Sequence, residues 1–340
     1  MELPPLIFGA MAHHGAGDDK ERTAVLRGAA DAGFRAFDTA PLYGFGESER
    51  RLGRALEGHD DVLILTKVGL RWDGEHGDVL FASPTHTVRK DARPESVLRE
   101  IDESLERLGR DRIDLVQIHH PDVHVPIAET IDALLEARRE GKVRAIGVSN
   151  FSAAQAREAA TALGEVPLTS MQDRYNLVYR DAERSKLPAC RELGCLFLAF
   201  SPLAQGLLAG SMLGGRTLAA DDWRAGDPKF FQKNLSAIHG AIERSMQPVA
   251  RAHAATLSQV ALAWLLAEPG VSSVIAGGRT IEHATKNLEA AALKLTSDER
   301  ASIRRAFEAV HIVETRRRGR ARRFAKRGLS KLKRILGRDE

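Results

Sequence analysis

Short apolar runs separated by longer amphipathic stretches set the rhythm of this chain. Leu6–Met11, Ala36–Asp38, Val62–Lys67, Ile113–His119, Lys142–Ser149, Thr169–Asp173, Leu196–Phe200 and Val271–Ala276 have strand length and are mostly rich in Val, Ile and Leu. Most are continuous rather than alternating, the pattern of strands covered on both faces. Helical spacing fills the gaps. Arg93–Leu108 puts Leu98, Ile101, Leu105 and Leu108 on one stripe and stops at Gly109. Ile127–Arg139 stops before Gly141, and Ser152–Leu163 opens on a Ser cap and stops at Gly164. Asn234–His253, Leu257–Glu268 and Thr280–Ala290 follow, and Thr296-Ser-Asp-Glu299 is a capping box that opens a last helix.

Eight β/α units predict an α/β fold, a single (β/α)8 TIM barrel over 1–312, with an appended segment over 313–340. An open doubly wound sheet is the alternative, but no Gly-x-Gly-x-x-Gly opens a helix. Two insertions break the rhythm, 68–92 and 203–233, each after a strand's C-terminal end. Barrels build active sites there, so both loops are expected to line a substrate pocket. Trp72 and Phe81 in the first loop either touch substrate or pack the loop itself.

The net charge of +4 hides a split. From Arg316 to Arg338 the chain has twelve Lys/Arg, then Asp339 and Glu340, giving +10; the body has 38 basic and 44 acidic residues, giving −6. On a helical projection of 319–338, Ala321, Phe324, Ala325, Leu329, Leu332, Ile335 and Leu336 share one face and every Lys and Arg the other. Such a helix suits peripheral contact with a membrane surface or an acidic protein partner, or docking on the barrel. Nothing in the body supports nucleic-acid recognition. No apolar run reaches membrane-spanning length, no secretory leader is evident, and Cys190 and Cys195 make no disulfide framework. A cytoplasmic location is the expectation.

Candidate chemistry collects at strand ends. Asp38, Lys67 and His119 end the second, third and fourth runs, and Tyr43 lies in the loop after Asp38. In a closed barrel they converge on one face. A nearby Lys ammonium is expected to lower the phenol's pKa, Asp38 to hold Lys67, and His119 to bond a substrate oxygen. Strand alternation puts the neighbouring His120 on the opposite side. The histidines lack carboxylates or thiolates at ligand spacing, so no metal site is expected.

These residues sit in motifs that resemble a family. Gly33-Phe-Arg-Ala-Phe-Asp-Thr-Ala-Pro-Leu-Tyr43, the run from Asp114 to Asp122 with its His119-His120 pair, Ile146-Gly-Val-Ser-Asn150, Ser201-Pro-Leu-Ala-Gln-Gly-Leu-Leu208 and Ile275-Ala-Gly-Gly-Arg279 occur in the order of the aldo-keto reductases. The layout is similar to the longer-chain bacterial reductases and the potassium-channel β-subunit branch, with the usual N-terminal hairpin trimmed. The resemblance implies a catalytic tetrad of Asp38, Tyr43, Lys67 and His119, with Tyr43 as the general acid of carbonyl reduction. It implies Ser149, Asn150 and Gln172 around a nicotinamide carboxamide, and Phe200 stacked on the ring where Tyr is usual. Ser201, Leu203 and Gly206 fall in the pyrophosphate segment; Gly277, Arg279, Thr280, His283 and Asn287 fall in the adenosine-phosphate pocket.

Ala276, His283 and Lys286 depart from the family's usual Pro, Gln and Glu. The added cations favour NADP(H) over NAD(H). The implied function is NAD(P)H-dependent reduction of an aldehyde, ketone or sugar carbonyl. A cofactor-binding regulatory or redox-sensing subunit and an NAD-dependent sugar or alcohol dehydrogenase are the alternatives.

Overall fold

The computed structural model describes residues 1–13, 18–83, 85–215, 218 and 222–313. The basic helix expected over 316–338 lies outside the described residues. Eight parallel strands close into a barrel: β1 (Leu6–Gly9), β2 (Ala36–Asp38), β3 (Leu63–Val68), β4 (Ile113–Ile118), β5 (Val143–Ser149), β6 (Ser170–Arg174), β7 (Leu196–Phe200) and β8 (Ser273–Ala276). They pair in chain order, and β8 closes onto β1 through Leu6↔Val274, Ile7↔Ile275 and Phe8↔Ala276.

Strand alternation sorts the side chains into two cores. Ile7, Ala36, Leu65, Leu115, Ala145, Leu198 and Ile275 fill the barrel interior. Their neighbours in sequence, among them Phe8, Phe37, Ile64, Val116, Ile146 and Phe197, face the helical ring. Two or four residues beyond the inner apolar layer, the inward positions become Asp38, Lys67, Gln117, Ser149, Gln172 and Phe200. The same period of two that builds the core therefore stacks a polar layer on its C-terminal side. Gly147 makes room in that layer, because a Cβ there would lie 2.2 Å from Ser170 Oγ.

Boundaries agree with the sequence pattern to within a few residues, and two local features differ. The helix expected over Asn234–His253 is interrupted by a π-helical turn at Ile242–Met246. Pro248 follows and has no N–H for the carbonyl four residues back, so the wider turn absorbs the mismatch. The insertion after β3 is not structureless either. Leu70–Arg71, Val79–Ala82 and Thr87–Lys90 form a small antiparallel sheet with the last strand in the middle. The second insertion carries short 3-10 turns at Trp223–Gly226 and Pro228–Phe230. Among the described residues no helix is long and apolar enough to cross a membrane.

Candidate active site

Asp38, Tyr43, Lys67 and His119 meet at the C-terminal mouth of the barrel. Asp38 is in register with Leu65, so Lys67 starts two residues, roughly 6–7 Å, higher along β3. The long lysine stem spans that stagger. Lys67 Nζ donates to Asp38 Oδ1 at 2.6 Å and to Thr39 O at 2.9 Å, and reaches Tyr43 Oη at 3.5 Å. The Lys67 and Asp38 side chains are 1% and 5% exposed, so the pair is buried.

Tyr43 is placed by a tight loop. Gly44, Phe45 and Gly46 all have left-handed φ, 56° at the non-glycine Phe45, and Ser48 N returns to Tyr43 O at 3.1 Å. The helix Glu47–Ala55 that follows is pinned from below. Glu49 accepts from Thr66 Oγ1 at 2.6 Å and from Arg107 Nε at 2.7 Å, tying the Tyr43 loop to β3.

Electrostatics assign the protonation states. Burial pushes the Tyr43 hydroxyl above the usual phenol value, and the charge of Lys67 only partly opposes it. The sequence expectation of a lowered phenol pKa is thus corrected: desolvation outweighs the ammonium. Burial also works against the Lys67 ammonium, but Asp38 and Tyr43 outweigh it and hold it above the ordinary lysine value. His119 is driven well below the usual imidazole range by burial, then by Lys67 and His120. At neutral pH the site holds a protonated phenol, an ammonium and a neutral imidazole.

His120 does not turn away as alternation predicted. Regular strand ends at Ile118, and the His119 and His120 rings stack with centroids 5.4 Å apart and planes at 18°. Burial, then the charge of Lys90, takes His120 down to about 4. Both imidazoles are therefore held neutral in the fold, whereas the unfolded chain binds protons below about pH 6.5. Stability falls as pH drops from about 6.5, and for His120 the decline continues to about 4. A His120→Gln variant is expected to show a shallower loss of melting temperature across that interval, read by thermal denaturation at stepped pH.

The remaining expected residues also gather at this mouth. Ser149, Asn150 and Gln172 are adjacent through Ser149↔Gln172 pairing and the Asn150 N→Gln172 O bond of 3.0 Å. Asn150 Nδ2 donates to His119 O at 2.9 Å, and Gln172 Nε2 to Asp38 Oδ2 at 2.7 Å. Gln172 thus also braces the tetrad. Phe200 ends β7, and the segment after it is strained: Ser201, Ala204 and Gln205 have φ of 57°, 48° and 59°. Non-glycine residues in this region cost about 1–3 kcal/mol each, and such strain clusters at functional sites. Leu203 packs against the outer core, and Gly206 O accepts from Ser211 Oγ at 2.7 Å.

Past β8, Thr280 caps Ile281–Glu289 through His283 N at 3.2 Å, leaving a helix N-terminus beside the exposed Arg279. Asn287 is drawn inward to Gly277 O at 3.0 Å. Lys286 pairs with Glu282 at 2.7 Å, which removes one of the three cations the sequence placed in this pocket.

Three further residues enter only with the fold. Phe45 packs against Trp72 at 5.3 Å and stacks on His86 at 3.8 Å, forming an aromatic wall beside Tyr43. Trp72 therefore packs onto the loop that follows Tyr43, whereas Phe81 is 44% exposed. Arg224, from the second insertion, donates to Gln205 O at 3.2 Å and pairs with Asp222 at 2.7 Å. Arg224 first and Arg279 in support hold the Asp222 carboxyl down at about 2, which brings the insertion near the helix after β8. Position in an insertion after a strand end was the available signal for His86 and Arg224 alike.

Comparison with known proteins agrees with this geometry. The model of the aldo/keto reductase family matches residues 5–308. The aldo-keto reductase YhdN of Bacillus subtilis is 35% identical, over 78% of this chain and 77% of its own length. The NADH-specific methylglyoxal reductase of Escherichia coli is 33% identical, over 82% and 85%. The structure of the glycerol dehydrogenase AKR11B4 from Gluconobacter oxydans superposes with a TM-score of 0.83 at 31% identity, covering 93% of this chain and 95% of that one. The chain belongs to the aldo/keto reductase family, NAD(P)H-dependent oxidoreductases that act on carbonyl groups.

Proposed function

We propose that this protein reduces a small aldehyde, ketone or sugar carbonyl with Tyr43 as the proton donor. The observation that carries the reading is Lys67 Nζ, buried and shared between Asp38, Thr39 O and Tyr43 Oη. A bound reduced nicotinamide supplies the hydride. The neutral His119, its ring edge-on to Tyr43 at 6.0 Å, orients the carbonyl oxygen by an N–H bond. Tyr43 keeps its proton in the resting site and releases it as negative charge develops on that oxygen. Lys67 then faces a nascent phenolate, and its positive charge is already in place without reorganisation. Asp38 and Thr39 O hold the ammonium at this point, and Gln172 holds Asp38.

The donor set suits a nicotinamide carboxamide. Among the described residues the amide NH2 groups of Asn150 and Gln172 are spent on protein partners, which leaves their oxygens as acceptors and the Ser149 hydroxyl as a donor. Phe200 would give the ring an apolar face.

NADP(H) is the cofactor we infer, because Arg279 stands beside a helix N-terminus and the nearby Asp222 is salt-bridged to Arg224. The NADH specificity of the E. coli relative makes this a point to test directly. Fluorescence titration with NADPH and NADH is expected to favour NADPH. Arg279→Ala should weaken NADPH about tenfold and NADH by less than about twofold, as one charge-assisted bond is lost. Equal losses for both cofactors would reject the 2′-phosphate contact. Absorbance of the reduced cofactor across a carbonyl panel tests the reaction itself, and no turnover on any member would reject it.

A further inference from the structure

Behind the reacting side chains, on the outer face of the barrel wall, one buried carboxylate joins the pieces of chain that carry Lys67 and Tyr43. Lys67 points inward, so its neighbour Thr66 points outward, where it is fully buried. Thr66 Oγ1 donates to Glu49 Oε1 at 2.6 Å, the length of a charge-assisted bond. The other oxygen of Glu49 accepts from Arg107 Nε at 2.7 Å. The Glu49 side chain is wholly buried and that of Arg107 nearly so. Each oxygen is thus engaged by a different element.

Ser48, one residue earlier, grips a second strand. Its hydroxyl shares a hydrogen bond of 2.8 Å with Thr39 Oγ1, and its N–H donates to Tyr43 O at 3.1 Å. Thr39 O is in turn an acceptor of Lys67 Nζ. A single helical turn therefore meets the residue after Asp38, the strand that carries Lys67 and the loop that carries Tyr43. Arg107 supports that loop as well. A Cβ at Gly46 would lie 2.8 Å from Arg107 Cδ, and Gly46 itself has a φ of 94°. One arginine therefore pairs with Glu49 and packs beneath the Tyr43 loop. A buried network with every member satisfied is stiff.

The contact this network controls is the longest of the three that Lys67 makes. Lys67 Nζ lies 2.6 Å from Asp38 Oδ1 and 2.9 Å from Thr39 O, but 3.5 Å from Tyr43 Oη. Asp38 and Thr39 O fix the amine, so the Tyr43 loop is the side that sets the separation. A misplacement of about 1 Å at a reacting group costs about 10²-fold in rate.

We propose that Glu49 is a positioning residue for carbonyl reduction: its bonds to Thr66 and Arg107 fix the distance between the Tyr43 hydroxyl and the Lys67 ammonium. The proposal rests on the reductase reading. Thr66→Val removes one hydroxyl at nearly constant volume. It should lower kcat about tenfold, with KM and NADPH affinity within about twofold of the parent. Thr66→Ser keeps the donor and should restore most of the rate. Glu49→Gln should lower kcat in the same way; if it does not fold, the Thr66 pair still decides. In a Tyr43→Phe background Thr66→Val should cost nothing more, because the group it positions is gone. Rates are compared well below each variant's melting temperature.

The phenol also reads the geometry without turnover. Magnetic resonance of tyrosine labelled at the ζ carbon follows the Tyr43 ionisation, assigned by its loss in Tyr43→Phe. Lys67 opposes the burial that raises this pKa, so a wider separation in Thr66→Val should move the ionisation to higher pH. An unchanged kcat, an equal loss in the Tyr43→Phe background, or Thr66→Ser as slow as Thr66→Val would each overturn the proposal. If the protein reduces no carbonyl, a shifted Tyr43 ionisation would keep the placement of Tyr43 by Glu49 and reject the reductase reading alone. An unshifted one would overturn both.

Discussion

Replacing Tyr43 with Phe is expected to lower kcat for carbonyl reduction by about 10²–10⁴-fold while cofactor affinity stays close to that of the parent. The substitution removes one hydroxyl, the one 3.5 Å from Lys67 Nζ, and keeps the ring that meets His119 edge-on. Lys67 retains Asp38 and Thr39 O, so the ammonium stays paired and the fold should hold. The measurement is steady-state oxidation of the reduced cofactor alongside a fluorescence titration. Turnover near the parent's would reject Tyr43 as the proton donor. Lost cofactor binding would mean instead that the Tyr43 hydroxyl helps to hold the nicotinamide.

Lys67→Met carries the second large effect, and it acts on two levels. The side chain is buried and bonded to the equally buried Asp38, so its removal strands a carboxylate in the barrel. Breaking one side of a buried pair costs about 3–5 kcal/mol, which for a chain of this size lowers the melting temperature by about 4–7 °C. The pH profile should change as well. Lys67 opposes the burial that raises the Tyr43 pKa, so without it the phenol becomes a still weaker acid. The plateau of the reduction rate should drop, and the alkaline limb set by loss of the Tyr43 proton should move to higher pH. A paired variant, Lys67→Met with Asp38→Asn, should regain much of the stability and none of the rate, which separates the structural role from the catalytic one. A fall in melting temperature without any change in the pH profile would leave Lys67 a structural residue only.

Much of this site could be read before any coordinates. Asp38, Lys67 and His119 stand at the ends of apolar runs, and parallel strands of a closed barrel present their C-terminal ends on one face. The motif order added the residues toward the cofactor, and the structure gathers Ser149, Asn150, Gln172 and Phe200 around the same mouth. The capping box at Thr296 and the Ser152 cap formed as their side chains predicted, because capping depends on residues within one turn.

Other features were out of reach. Gln172 bonds Asp38 across 134 residues of chain, and no spacing announces it. Lys286 looked like part of a cationic pocket until Glu282, one turn away, took its charge. His120 departed from strand alternation because the strand stops one residue before His119. Arg174 and Lys229 are 55 positions apart and both approach the ring of Tyr179.

The division has one physical cause. Periodicity, caps and strand ends are local, so the amino-acid order alone pointed to the barrel and to the four side chains proposed to react. The direction of a pKa and the partner of an amide depend on burial and on groups far apart in the chain. Tyr43 shows the difference most clearly: its neighbour Lys67 was legible as a charge that lowers its pKa. Only the packed barrel, by removing water from both, decided that the phenol holds its proton more tightly.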